Sequence, residues 1–184
     1  MTLDKAKELN VITQEHLILH SLNVCYAMEA MARHFGADAE HWKAIGYLHD
    51  YDYEQYPDEH LQHTAGPLRA KGVCEEDIRA ILAHGFGICT DVRPESDLEK
   101  SLFTVDELTG IIQAAARMRP NGITDLEVKS FMKKFKDKKF AAKCSRDTIF
   151  QGCEMLGMEV QDVAAICIEG MKAHARELGL APAV

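Results

Sequence analysis

The sequence predicts an all-α bundle forming a single domain, and three observations predict it. Apolar residues recur at three- and four-residue spacing along four separate stretches, helix-capping residue types stand at the ends of those stretches, and no segment sustains the alternation of a half-buried strand. Residues 1–120 are expected to form the helical core, with 121–184 as a helical extension packed on it.

The first stretch runs from Gln14 to Phe35, where Leu17, Val24, Ala27, Met28 and Met31 form one stripe. Thr13 is the expected cap at its start and Gly36 the stop at its end. Asp38 opens a second helix, with Trp42, Ile45 and His49 on one side. Glu75 to His84 is a third, with Ile78, Ile81 and Leu82 inward and Gly85 closing it. The fourth and longest spans Asp97 to Met118, where Leu98, Leu102, Val105, Leu108, Thr109 and Ile112 form the stripe; Pro120 ends it.

Chemistry enters at His49-Asp50, which closes the apolar run Ala44-Ile45-Gly46-Tyr47-Leu48. Adjacent helical side chains point about 100° apart, so they converge only on something between them. An Asp left unpaired beside an apolar run would carry a desolvation cost of several kcal/mol. A metal ion resolves both problems. His20 lies on the stripe between Leu17 and Val24, His84 three residues after Ile81, and Asp106 one turn beyond Leu102. A lone histidine on an apolar face is commonly a hydrogen-bonded core residue. Several helices each presenting His or Asp inward around one His-Asp pair point instead to a metal site. His34, His41 and His174 sit at or near helix ends and read as solvated, and His16 reads either as exposed or as a neighbour of the ligands.

These residues resemble the HD-domain superfamily of metal-dependent phosphohydrolases, in its HDIG-type branch. The likeness lies in His20 of LILHSLNV, the pair in AIGYLHDYDYE and Asp106 of FTVDELTGII, and it covers residues 16 to about 115. The resemblance implies an HD-domain helical bundle in which His20, His49, Asp50 and Asp106 hold one divalent ion. In branches with two ions, two further histidines share Asp50 with the first site; here they correspond to His60 of YPDEHLQHTAG and His84 of IRAILAHGFG. His63 competes with His60 for that place. The ions implied are Fe, Mn, Zn, Ni or Co, one or two per chain, because a mixed N/O set selects weakly among them. The implied activity is hydrolysis of a small phosphorylated molecule, a nucleotide by default, by metal-activated water. Asp50 would serve catalysis as well as binding, and Asp52 and Glu54 are candidates to hydrogen-bond a ligand or the water, with a solvated acidic loop as their competing reading. Lys100, six residues before Asp106, is the candidate contact for substrate phosphate. Two alternatives share the ligand set: a di-iron oxygenase of the same fold and a non-catalytic regulatory domain.

Composition sets the outer bounds. No segment reaches the ~20 apolar residues of a membrane helix, and MTLDKAKELN lacks the apolar stretch of a signal peptide. The expectation is a cytoplasmic chain without membrane partners. The six cysteines show no CxxC pairing and read as reduced. Net charge is -8, which argues against nucleic acid, although seven lysines fall within residues 129–143 beside one acid, Asp137. That segment is either a solvated face or a basic lip over the metal site, with Lys136, Lys139 and Arg146 as its phosphate contacts. A homo-oligomer stays open.

Overall fold

A computed structural model of the chain describes residues 1–182. Nine α-helices form among those residues: α1 (Leu3–Leu9), α2 (Glu15–His34), α3 (Ala39–Leu48), α4 (Ala65–Ala70), α5 (Glu75–Ala83), α6 (Asp97–Arg117), α7 (Val128–Lys136), α8 (Arg146–Leu156) and α9 (Val160–Ala173). No strand occurs among the described residues, where Phe86 and Thr90 make an isolated bridge. The fold is all-α.

The four long stripes become α2, α3, α5 and α6, within one residue of the expected ends. Asp38 caps α3 by accepting from Glu40 and His41 backbone N–H groups. A capping box sets the start of α6: the Ser96 hydroxyl accepts from the Glu99 backbone N–H, and the Glu99 carboxylate accepts from that of Ser96. The start of α2 differs from expectation. Gln14, not Thr13, is the N-cap residue, and its side chain makes no cap hydrogen bond. The capping acceptor arrives from elsewhere in the chain: Glu54 Oε2 accepts from Thr13 N at 2.6 Å and from Gln14 N at 3.1 Å, while Thr13 Oγ1 donates to Glu54 Oε1 at 2.7 Å.

Helix α2 is the spine, packed against α3, α6 and α9. Its tightest approach is to α3 at Gly46. A Cβ there would stand 2.9 Å from Met28 Cγ and 3.1 Å from the Val24 carbonyl oxygen, so hydrogen is the side chain that lets these helices meet. Around this crossing Met28, Met31, Ile45, Leu48, Leu102 and Leu108 are fully buried. The later helices share this core, with α8 packed on α6 and α9 on α2, and Phe131, Val163, Cys167 and Leu178 join the same apolar cluster. No described helix is long and apolar enough to cross a membrane.

Two histidines read as solvated are engaged. His41 Nε2 lies 2.6 Å from Asp77 Oδ1, tying α3 to α5. The His174 ring stacks on Tyr26 at 3.6 Å and its Nε2 lies 3.2 Å from Glu29. These three partners come from distant parts of the sequence, so helix-end position alone could not reveal them. His34 and His16 are exposed.

Candidate metal centre

Five elements converge at one end of the spine. α2 supplies His20, the C-terminal end of α3 supplies His49 and Asp50, the loop after the 3-10 turn Pro57–Glu59 supplies His60, the end of α5 supplies His84, and α6 supplies Asp106. Ligand atoms of His20, His49 and Asp50 lie within 4.8 Å of one another, as do those of His49, His84 and Asp106 and those of Asp50, His60 and His84.

The two oxygens of Asp50 divide the cluster. Oδ2 faces one histidine pair, 3.6 Å from His20 Nε2 and 3.4 Å from His49 Nε2. Oδ1 faces the other, 3.3 Å from His60 Nε2 and 3.7 Å from His84 Nε2. Asp106 Oδ1 stands on the first side, 2.9 Å from His20 Nε2 and 3.4 Å from His49 Nε2.

Ring orientation tests whether this set fits metal. His49 Nδ1 lies 2.8 Å from the Gly46 carbonyl oxygen, and His84 Nδ1 lies 2.6 Å from that of Ile81. A carbonyl only accepts, so each neutral ring keeps its proton on Nδ1 and turns the Nε2 lone pair into the cluster. His60 is anchored likewise, with Nδ1 2.9 Å from Asp52 Oδ1. Yet His49 Nε2 stands 3.2 Å from His20 Nε2, and His60 Nε2 3.2 Å from His84 Nε2. Lone pairs facing each other at that distance repel unless a metal ion or a proton lies between. Nitrogens bound ~2.1 Å from one ion stand roughly 3.0–3.4 Å apart in octahedral or tetrahedral sets. The donor set fits one ion on each side of Asp50.

Without an ion the cluster holds protons instead. At His20 burial opposes the charged ring, but the hydrogen bond and charge of Asp106, with Asp50 behind, raise its pKa to about 9. At His60 burial is again outweighed, here by Asp50 and Asp52, and the pKa is also about 9. Burial, helped by His49, drives His84 down to about 4. The Asp50 and Asp106 carboxyls are buried, which favours the acid form, yet the surrounding histidines hold both well below the usual carboxylate range.

Not every expected residue reaches this place. His63 turns away: its Nε2 lies 2.6 Å from Glu59 and its ring stacks on Tyr56. Asp52 is buried behind His60 rather than solvated, and accepts from the Leu61 and His63 backbone N–H groups. Glu54 is spent at the start of α2, where it caps the backbone of Thr13 and Gln14. Lys100 does not line the cavity over the cluster; six helical residues turn about 600°, which puts it on a different face of α6 from Asp106. The basic lip does not form among the described residues either. Lys129, Lys133 and Lys136 line a separate hollow beside α7. Arg146 donates to the carbonyl oxygens of Phe140, Ala141 and Cys144, holding the loop that precedes α8.

The cavity over the cluster measures about 450 Å3. Besides the cluster residues its wall includes Tyr53, Ile88, Cys89, Glu107 and Cys144, none of them singled out from the sequence as a site residue. Tyr53 stands edge-on to His60 at 5.1 Å. Glu107 Oε2 accepts from the Ser145 backbone N–H at 2.9 Å, across 38 residues of chain. Adjacency to Asp106 was the one local signal that could have marked it.

The HD domain family profile matches residues 17–111, more than half of the chain. No curated protein and no solved structure matches it.

Proposed function

The chain belongs to the HD-domain family, and from that premise we propose that it is a phosphohydrolase of small phosphorylated molecules working with two divalent transition-metal ions. The observation that carries the reading is the division of Asp50, one oxygen toward His20 and His49 and the other toward His60 and His84. A carboxylate so placed serves two ions at once. Asp106 completes the first set, and the donor chemistry admits Fe, Mn, Zn, Ni or Co alike.

Bound ions supply Lewis acidity toward phosphate oxygens and make water acidic enough to attack near neutral pH. The chain's own residues do the rest. The Gly46 and Ile81 carbonyls and the Asp52 carboxylate fix three imidazole rings with Nε2 inward. Asp106 holds His20 in line with His49. The cavity admits a molecule of metabolite size.

The test is orthophosphate release from a panel of phosphomonoesters and nucleotides, with Mn2+, Co2+, Ni2+ or Mg2+ supplied. The proposal expects release that a chelator stops and that Asp50→Ala removes. Phosphate release by no metal form, together with O2 consumption by the iron-loaded chain, would replace hydrolysis with oxygenation.

A further inference from the structure

The cavity wall has an unexpected charge pattern for a site that takes phosphate. Among the described residues, no Lys or Arg lines it. Its charged side chains beyond the histidines are carboxylates: Asp50 and Asp106 in the cluster, and Glu107 on the wall. The rest of the surround is largely apolar or small, with Leu17, Ile88, Cys89, Gly110 and Cys144. Phosphate chains are ordinarily met by several cationic side chains or backbone N–H groups. Here no Lys or Arg on the wall shares anionic charge with the ions, which already face the carboxylates.

Glu107 is held in place for use. One oxygen, Oε2, accepts from Ser145 N, and no hydrogen bond to Oε1 forms among the described residues. Ser145 is fixed by the loop that Arg146 braces through the carbonyls of Asp137, Phe140, Ala141 and Cys144. The same loop closes over α6 at Gly110, where a Cβ would stand 2.8 Å from Cys144 Sγ. The carboxylate is thus a positioned acceptor on the wall of a cavity that no Lys or Arg lines among the described residues.

We infer that Glu107 selects the substrate: a compact phosphomonoester whose organic part carries an ammonium group and no second anionic group. This rests on the phosphohydrolase reading. The phosphoryl group sits at the ions, the apolar wall takes the short carbon chain, and Glu107 Oε1 accepts from the ammonium. A nucleoside di- or triphosphate is excluded because its further charges would face Glu107 and find no cationic side chain.

The test uses three phosphonates of similar size that cannot be hydrolysed: propylphosphonate, 3-aminopropylphosphonate and 2-carboxyethylphosphonate. Their binding to the metal-loaded full-length chain is measured by titration calorimetry, for wild type and for Glu107→Gln. The amide that replaces the carboxylate retains an acceptor for Ser145 N, and metal content and thermal midpoint are checked for both proteins. Wild type should bind the amine about tenfold more tightly than the neutral analogue, as one partly exposed charge-assisted hydrogen bond provides, and the carboxylate more weakly than either. In Glu107→Gln the amine's advantage should fall to about twofold or less. Equal binding of all three analogues by wild type, or an amine preference that survives in Glu107→Gln, overturns the inference and leaves the phosphohydrolase reading standing. Binding of none of the three by a chain that holds its ions rejects that reading, and the inference with it.

Discussion

Three hydrogen bonds end on the carboxylate of Asp52, from His60 Nδ1, Leu61 N and His63 N, and they explain a strained residue beside the site. Leu61 has φ 69°, a left-handed conformation that costs a bulky side chain about 1–2 kcal/mol. The carboxylate and the burial of the Leu61 side chain hold it there, which aims His60 into the cluster. Asp52 is therefore a positioning residue. Asp52→Ala should weaken the ion facing His60 by about 10–100-fold while the ion facing His20 is retained, as read by metal titration with each site resolved. Equal weakening of both would contradict this role. The proton balance gives a second expectation. The folded pKa values of His20 and His60 lie above the ordinary 6.5, so in the metal-free chain their protonation stabilises the fold fully below pH 6.5 and that contribution is lost as pH rises through about 9. An ion must displace those protons, one from each side of Asp50. Metal affinity should rise between pH 6.5 and 9, with about one proton released per ion near pH 7.5. Titrations in buffers of different ionisation enthalpy measure this; an affinity flat across that window would refute it.

At the scale of elements, the α2–α3 crossing sets the distance between His20 and His49. Gly46→Ala adds a Cβ against Met28 Cγ and the Val24 carbonyl. Met28 can move, but the backbone carbonyl cannot without shifting α2. Overpacking costs about 1–3 kcal/mol, against a gain in helix propensity of about 1 kcal/mol. The variant should lose roughly 0–2 kcal/mol of stability in chemical denaturation and, more tellingly, bind the ion between His20 and His49 less tightly. Unchanged affinity there would show that the crossing does not set the ligand spacing. Four helices were legible in the sequence because a 3.6-residue period and its caps are local signals. Helix α1, Leu3–Leu9, was not: seven residues are too few to display a period, and it is stable through Leu3, Ala6 and Leu9 buried against α3. The same locality explains the site. His20, His49, His84 and Asp106 were visible as inward polar residues on stripes. Glu54 at the start of α2 and Glu107 against Ser145 depend on contacts across 40 and 38 residues that no local pattern encodes. Lys100 could have been set aside by helical arithmetic alone.

Across the whole molecule, the later helices do more than cover the core. The chain after Pro120 returns to α2 through α9 and to α6 through α8, and on the way its loop places Cys144 on the cavity wall and Ser145 against Glu107. One wall residue, Cys144, thus lies outside the 17–111 segment that marks the family, while the proposed metal ligands all lie within it. In the proposed centre Asp50 joins two ion sites, each with its own histidine pair. Metal content of the chain after saturation and removal of free ion, measured by mass spectrometry, tests it most directly. Wild type should hold about two ions per chain, His84→Ala about one, and Asp50→Ala close to none. One ion in wild type, kept in full by His84→Ala, would contradict it.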